Sequence, residues 1–253
     1  MIILSKDKEI IVMKVLNRDV IKYLAIVFMF MDHVIQIFME RGTFQYNLLD
    51  ALSHFTFVTM SFFLVEGYQY TRSKKAYVKR IFLFGLISQL PYMLAFSGRE
   101  GLNFVPLNIF FTLGFCFLMI FGLDRVNKAM MKVLIVVASV IICAFCDWSC
   151  FAPLFTLAFY WAKGNKKRLV IVYVFDILLF GATNISGYLV HGEYMTACIE
   201  LLIATCGIIL SGICIVALYN GKRMSIGRNF NKWFFYLFYP AHLLFLGVLR
   251  IIL

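Results

Sequence analysis

The positive charges of this chain lie in every second gap between its apolar segments. From about residue 20 onward, long hydrophobic runs alternate with short polar breaks, and all but three of the 24 Lys and Arg residues fall in the N-terminal arm or in alternate breaks after it. Loops rich in Lys and Arg stay cytoplasmic because their translocation is disfavoured. The pattern predicts an all-α, polytopic bundle of transmembrane helices with a cytoplasmic N-terminus. The five basic groups are Lys6, Lys8, Lys14, Arg18 and Lys22; Arg72, Lys74, Lys75, Lys79 and Arg80; Arg125, Lys128 and Lys132; Lys163, Lys166, Lys167 and Arg168; and Lys222, Arg223, Arg228 and Lys232.

Composition agrees with a membrane protein. The chain is 62% hydrophobic and only 15% charged, whereas soluble domains have roughly 45–50% apolar and about 25% charged residues. A net charge of +11 can indicate nucleic-acid binding, but these cations flank the apolar segments, so we expect membrane lipid and no nucleic acid as a partner. With no linker visible, we predict an interfacial cytoplasmic arm over 1–19 and one transmembrane domain over 20–253.

About nine segments are candidates for membrane spans. A hydrocarbon core of about 30 Å takes about 20 helical residues, and nine crossings place the C-terminus outside. The fifth and sixth segments are short and closely joined, which is typical of a tilted hairpin. The predicted spans are 20–39, 47–67, 77–97, 105–123, 131–146, 149–162, 169–184, 195–219 and 233–252.

Two histidines are expected at the same depth near the midplane. Asp32 and His33 are adjacent in the first span, and His242 lies in the last. Lys22 precedes His33 by eleven residues, about 16–17 Å of helix, and Lys232 precedes His242 by ten, about 15 Å. Ionisable groups at membrane depth are costly and usually mark function, and a neutral imidazole is a base near physiological pH.

The first span also carries a cation on nearly the face of its histidine. Lys22 and His33 are about three turns apart, so a ligand with an anionic head and a reactive tip suits this pair. Asp32 projects about 100° away from His33. It is either part of the same site or an anchor to a neighbouring helix, and the sequence leaves both roles open.

Other polar residues are weaker candidates. His54, in the second span, faces an outward acceptor pocket or bonds a neighbouring helix, and Glu66 ends that span where it can pair with Arg72. Asn108 follows Pro106 at the outer mouth of the fourth span, where Asn is often a cap or turn residue.

The residues alone leave enzyme and transporter nearly equal. Asp176 and Glu200 lie in the seventh and eighth spans and, with Asp32 and His33, can form a proton or ion relay in a secondary transporter. Such transporters usually show internal repeats and paired broken helices, and we see no such symmetry. A scaffold whose polar residues only join helices is a third possibility.

A metal site is not expected. The seven Cys are an odd number and most lie in apolar runs, where Cys behaves as a small apolar residue. Cys146 and Cys150 lie one turn apart near the predicted outer face, with Asp147 and Trp148 indicating a tight turn, but two ligands do not make a metal site.

Four passages resemble the TraX family, named for the F-pilin acetylation protein, within a larger group of integral-membrane acyltransferases. They are MFMDHVIQ around His33, FFLVEGYQYTRSKKAYVKRIFLFGLISQLPY over 62–92, LNIFFTL over 107–113 and KWFFYLFYPAHLL over 232–244. The resemblance covers about residues 20–252, although 124–230 matches only in hydropathy. The spacing from Lys22 to His33 is similar to a signature of related membrane acyltransferases.

The resemblance implies a bacterial cytoplasmic-membrane enzyme that transfers acetyl from cytoplasmic acetyl-CoA to an acceptor that it leaves open: a protein terminus, a glycan or a small molecule. His33 becomes the general base, or a nucleophile that forms a transient acyl-histidine, with Asp32 and His242 orienting the site. The candidates for contacts with the coenzyme are Lys22, Arg72, Lys75, Tyr77 and Arg80. The candidates for contacts with the acceptor are His54, Glu66, Asn108 and Tyr239.

Overall fold

The computed structural model describes residues 2–4, 10–12, 15–97 and 105–253. Within these ranges the chain is a helical bundle preceded by two three-residue strands that pair antiparallel in the arm. The strands are β1 (Ile2–Leu4) and β2 (Ile10–Val12). The helices are α1 (Arg18–Phe38), α2 (Phe44–Tyr70), α3 (Lys74–Phe96), α4 (Ile109–Leu123), α5 (Ala129–Cys143), α6 (Phe151–Ala162), α7 (Lys166–Val190), α8 (Tyr194–Gly212), which continues as a π-helical segment over Ile213–Leu218, and α9 (Arg228–Ile252).

The predicted all-helical membrane bundle is confirmed. Each of the nine apolar segments contains one of the helices, and six of these are long and apolar enough to cross a membrane: α1, α2, α3, α7, α8 with its π-helical segment, and α9. Helices α4 and α5 have 15 residues each and α6 has 12, which at 1.5 Å per residue is about 18–22 Å against a core of about 30 Å. By length and composition six helices are candidate spans, and the nine predicted spans are not confirmed.

Within the described ranges, the basic groups lie at one end of the bundle, which we call the basic end. The Leu16 amide donates to the carbonyl of Leu218, and the Arg18 amide to that of Lys222, so the start of α1 lies beside the α8–α9 connection. Arg18 also pairs with Glu66 near the end of α2, with Nε 3.5 Å from Oε2. The Tyr219 hydroxyl donates to the same carboxylate at 2.7 Å.

A second carboxylate joins the ends of α4 and α6 to the end of α2 at the basic end. Asp124, at the end of α4, accepts hydrogen bonds from the hydroxyls of Tyr68 on α2 and Tyr160 on α6. Burial raises the pKa of Asp124, but the two hydrogen bonds and the nearby ammonium groups of Lys163 and Lys74 outweigh it and hold the pKa below its ordinary value. Hence α2, α4 and α6 all end at the level where the basic connections lie.

At the ends away from the basic end, α4, α5 and α6 reach only half-way along the bundle. Trp148, in the α5–α6 turn, stacks on Phe57 at 4.2 Å between ring centroids, and Phe57 is the middle residue of α2. The Asn108 side chain, which caps α4, donates to the carbonyl of Gly85 at 2.8 Å, and Gly85 is the middle residue of α3. The tight turn expected at Asp147 and Trp148 is present, but it lies deep in the bundle rather than at an outer face.

The longer helices surround the half-depth ends of α4, α5 and α6. Helix α8 packs closely on α2 at Gly207, where there is no room for a side chain. A Cβ at this position would lie only 2.4 Å from the carbonyl oxygen of Ala51. Helix α9 packs against α3 and α1, where Tyr23 of α1 contacts the ring of Phe235 at 5.1 Å. The first and last long helices therefore lie side by side at the centre of the site.

Candidate functional site

The two membrane-depth histidines touch. His33 Nδ1 lies 2.7 Å from His242 Nε2, and the two rings are nearly parallel, with 6° between their planes. Both side chains are buried, at 5% exposure each. Lys22 and Lys232 mark the level from which α1 and α9 rise to their histidines. Because the two helices pack side by side, histidines at equal depth come into contact.

The hydrogen bonds of this pair determine where the lone pair lies. His242 Nδ1 is 2.8 Å from the carbonyl of Phe238, and because a carbonyl only accepts, that nitrogen carries the proton. With both rings neutral, His242 Nε2 then accepts from His33 Nδ1–H. The remaining nitrogen, His33 Nε2, is left unprotonated. A base with a defined orientation is the result, since the partner bonded to one ring nitrogen sets the state of the other.

Asp32 contacts both a neighbouring helix and the imidazole of His33. Its Oδ2 lies 4.0 Å from His33 Nε2, so it faces the basic nitrogen. Its Oδ1 accepts from Gln36 of the same helix at 2.9 Å and lies 2.9 Å from the Ser53 hydroxyl of α2. The carboxylate therefore joins α1 to α2 with one oxygen and borders the site with the other.

A cavity of about 450 Å³ runs from the basic end to His33. Its entrance holds six cationic side chains and the carboxylate of Asp19, and its deeper wall is largely apolar. The Lys22 ammonium lies between the rings of Phe63 and Phe235, 5.6 and 5.1 Å from their centroids. The six cations are Arg18, Lys22, Arg72, Arg80, Arg223 and Lys232.

A second cavity of about 160 Å³ approaches His33 from the opposite side. It lies between the ends of α1 and α3 and the first half of α2, and polar groups dominate its wall. The two cavities share five lining residues: Asp32, His33, Ser53, Asp147 and Trp148. His33 thus lies where two cavities from opposite ends of the bundle meet.

Three candidates differ from what was expected. Lys75 is exposed and belongs to neither cavity wall. Asn108 is fully buried as the cap of α4 and bonds Gly85 and Gln89 of α3, so its contacts are structural. Glu66 lies at the basic end, at the edge of α2 where it was expected, but it pairs with Arg18 rather than with Arg72.

The remaining candidates divide into two sets. Tyr77 and Tyr239 line the larger cavity, together with Lys22, Arg72 and Arg80. His54 lines the smaller cavity, where its Nδ1 bonds the carbonyl of Ala204 at 3.0 Å and its Nε2 lies 3.8 Å from Asp50. Asp176 and Glu200 are in neither wall, and the carboxylate oxygens of Asp176 are buried without a hydrogen-bond partner in the described chain, so the two do not pair.

Sequence reasoning missed part of the site. Arg223 and Lys232 reach the entrance because the α8–α9 connection is fastened to α1, which no local pattern indicates. Asp147 was noted only as a turn residue, although it is the one acid between Arg125 and Lys163 in the sequence. An isolated carboxylate within apolar sequence was a usable signal.

The protonation of His33 is directly testable. In protein labelled with ¹⁵N-histidine, we expect His33 at neutral pH to show a protonated Nδ1 and an unprotonated Nε2. His242→Ala removes the acceptor of the Nδ1 proton, so the tautomer should shift toward Nε2–H. His191 is exposed and bonds only its own helix at Gly187, so His191→Ala is the matched control and should leave the His33 signals unchanged. A protonated Nε2 in the unmodified protein would contradict the assignment.

Comparison with known proteins agrees with the resemblance in the four passages. A family model described as TraX protein matches residues 17–250. The chain is also 28% identical over 230 residues to a Dichelobacter nodosus protein named "Probable fimbrial assembly protein FimC, serogroup H1", with 88% of this chain and 91% of that protein covered. No solved structure matches the chain. Because the family model spans the helices that carry both histidines and nearly all the rest of the molecule, the chain belongs to the TraX protein family.

Proposed function

We propose that this chain is a membrane acyltransferase that moves an acetyl group from cytoplasmic acetyl-CoA to an acceptor arriving from the other side of the membrane. The observation that carries the proposal is the meeting of two cavities, from opposite ends of the bundle, at the unprotonated nitrogen of His33. One cavity suits an anionic donor, and the other suits a polar acceptor. Family membership supports the same class of reaction, since TraX is associated with pilin acetylation.

The proposed orientation places the basic end in the cytoplasm of a bacterial cell. All the basic connections that the structure describes lie at this end, as the positive-inside rule requires of cytoplasmic loops. Helices α5 and α6 enter from this end and turn back at half depth. Non-helical backbone at membrane depth is tolerated where it is buried in protein or lines a cavity, and the Asp147–Trp148 turn borders both cavities.

The larger cavity suits coenzyme A. Phosphates bind through charge-assisted hydrogen bonds to Arg and Lys, and the entrance supplies six such side chains. The Nε of Arg80 is buried without a hydrogen-bond partner in the described chain, which leaves a donor for a ligand. From Lys22 to His33 the helix rises about 16–17 Å, a distance comparable to an extended pantetheine arm. Phosphates at the entrance therefore place a thioester beside the imidazole.

The chemistry is a proton transfer coupled to nucleophilic attack. The acceptor hydroxyl or amine gives its proton to His33 Nε2 as its oxygen or nitrogen attacks the thioester carbonyl carbon. The tetrahedral intermediate then loses the carbon–sulfur bond, and the imidazolium returns the proton to the leaving thiolate. His242 is a positioning residue in this scheme, because its bond to His33 Nδ1 keeps the lone pair on Nε2.

The acceptor approaches through the smaller cavity, whose wall carries Gln36, Asp50 and His54. The name of the Dichelobacter nodosus relative points to fimbrial assembly, so surface fibre subunits are the first acceptors to test. The secondary transporter is less well supported. Its relay needs Asp176 and Glu200, and both lie outside the walls of the two cavities.

Loss of the His33 imidazole should abolish most transfer. Protein in lipid nanodiscs is supplied with radiolabelled acetyl-CoA and a cell-envelope extract, and labelled products are identified by mass spectrometry. General acid–base catalysis contributes typically 10²–10⁴-fold, so we expect His33→Ala to lower transfer by about that factor while coenzyme A binding persists.

The control for this loss is His191→Ala, which removes an exposed imidazole outside both cavities and should transfer normally. With donor alone, direct attack leaves no acetate on the protein, whereas a covalent route traps acetate on a histidine. Wild-type transfer by purified His33→Ala would show that the catalytic assignment is wrong.

Donor affinity should depend on the cations that line the entrance and not on basic residues elsewhere at the basic end. Hydrogen bonds to charged groups contribute about 1.5–3 kcal/mol each, so Arg72→Ala with Arg80→Ala should weaken acetyl-CoA binding at least about tenfold. Lys166 and Lys167 are exposed outside the cavity walls, so Lys166→Ala with Lys167→Ala is the matched control. Equal affinities in a calorimetric titration of both double variants would mean that Arg72 and Arg80 act only in membrane orientation.

Orientation can be measured independently of activity. Single cysteines at Lys75 and Lys166, in a background lacking the native cysteines, should react with a membrane-impermeant maleimide only after the cytoplasmic face is opened. A cysteine at Gly192, in the α7–α8 connection, should react in intact cells. The reverse labelling pattern would invert the proposed orientation, and with it the assignment of donor and acceptor sides.

A further inference from the structure

We propose that the Tyr239 hydroxyl is the oxyanion donor of this site: it hydrogen-bonds the thioester oxygen as the carbonyl becomes tetrahedral. This inference rests on the proposed acyl transfer and adds to it a group that touches the reacting atoms. Acyl-transfer sites require such a donor because negative charge develops on an oxygen that cannot reach water.

The hydroxyl of Tyr239 is buried and lacks a partner. The residue is 2% exposed and lines the larger cavity, and no group in the described chain lies within hydrogen-bonding geometry of its oxygen. A buried tyrosine hydroxyl normally finds a partner, and leaving one unmade costs about 1–3 kcal/mol. Phenylalanine would avoid that cost, so a ligand oxygen in the cavity accounts for the hydroxyl.

The ring is held beside both imidazoles. Its centroid lies 6.1 Å from that of His33 and 5.5 Å from that of His242, which follows it by three residues on the same face of α9. Phe110 of α4 contacts the ring edge-to-face at 5.0 Å. The side chain is therefore clamped between three helices, and its hydroxyl has a fixed place relative to the base.

Helix α4 begins beside this hydroxyl. Ile109 is its first residue, and it lines the larger cavity together with Tyr239. The first amides of a helix have no partner within the helix and carry partial positive charge. The Asn108 cap accepts the next two amides, those of Phe110 and Phe111. The start of α4 therefore adds positive potential to the part of the cavity that Tyr239 lines.

The charges around the cavity make a donor necessary. Asp32 and Asp147 both border the meeting point of the cavities, and negative carboxylates disfavour a developing oxyanion. The six cations lie at the other end of the larger cavity, about three helical turns away along α1. The Tyr239 O–H is a local donor that offsets this repulsion.

The electron balance is simple. Attack on the carbonyl carbon moves the π electrons onto oxygen, and the Tyr239 O–H donates a hydrogen bond to that oxygen without giving up its proton. When the carbonyl re-forms, the carbon–sulfur bond breaks and its electrons leave with coenzyme A. The proton abstracted by His33 neutralises the thiolate, so the tyrosine ends the cycle unchanged.

A binding experiment tests this role without an acceptor. S-ethyl-CoA has no carbonyl, whereas the trifluoroacetonyl thioether of CoA hydrates to a tetrahedral carbon that mimics the intermediate. Transition-state analogues bind at least about 10²-fold more tightly than ground-state ligands, so the wild type should prefer the ketone by such a factor. Removing one oxyanion donor costs about 10²–10³-fold. Tyr239→Phe should therefore lose most of that preference and keep its affinity for S-ethyl-CoA.

The matched control is Tyr173→Phe. Tyr173 is buried and its hydroxyl bonds Ser211 at 3.0 Å, away from both cavities, so the control loses a buried hydroxyl without touching the ligand. It should retain the wild-type preference for the ketone. Melting temperatures measured with and without S-ethyl-CoA show whether each variant is folded.

The outcomes separate this inference from the function beneath it. Failure of the wild type to bind either analogue would overturn the acyl-CoA donor itself. Wild-type ketone affinity in Tyr239→Phe, or an equal loss for both analogues, would overturn the oxyanion role alone. Should Tyr239→Phe not fold, 3-fluorotyrosine at position 239 keeps the ring and makes the hydroxyl more acidic. Tighter ketone binding then supports the role, and unchanged ketone binding contradicts it.

Discussion

The whole site depends on irregular backbone satisfied in the middle of a membrane bundle. Where α4 to α6 stop at half depth, the Leu107 amide donates to the carbonyl of Phe145 and the Asp147 amide to the carbonyl of Leu107. The Thr112 hydroxyl donates to the Asp147 carbonyl at 2.8 Å. Each unsatisfied group would cost several kcal/mol in hydrocarbon. These bonds therefore permit three short helices, and the short helices leave room for a polar cavity at the depth of the histidines.

The two histidines form one hydrogen-bonded unit, in which each donor points from α1 toward the backbone of α9. The Phe238 carbonyl fixes the proton on His242, and His242 fixes the proton on His33, so a backbone group on α9 determines which nitrogen of α1 is basic. Neutral imidazoles suit this position because an isolated charge would be costly to bury. The packing of α1 against α9 thus sets the position of the pair, and the carbonyl on α9 sets its tautomer. The bond between Asp32 and Ser53 holds α1 to α2 beside it.

The basic end combines two demands on the same residues. Cations there are what membrane insertion requires, so their number alone says nothing about a ligand. Their arrangement is informative: Arg18 is neutralised by Glu66, whereas Arg80 keeps a buried donor without a partner in the described chain. Lys75, Lys166 and Lys167 lie outside the cavity. Geometry therefore separates the cations that line the cavity from those that lie outside it.

The sequence by itself determined the helical membrane bundle, the shared end of its basic groups and the equal depth of His33 and His242, because hydropathy, charge alternation and helical rise are local quantities that add along the chain. Tertiary structure alone decided that the two imidazoles touch, that Asn108 bonds Gly85 of α3 and that Glu66 pairs with Arg18. It also decided that Asp147 and Tyr239 border the base. Such contacts depend on how each helix is rotated about its axis and on which helices pack together. Both are set by packing between helices far apart in sequence.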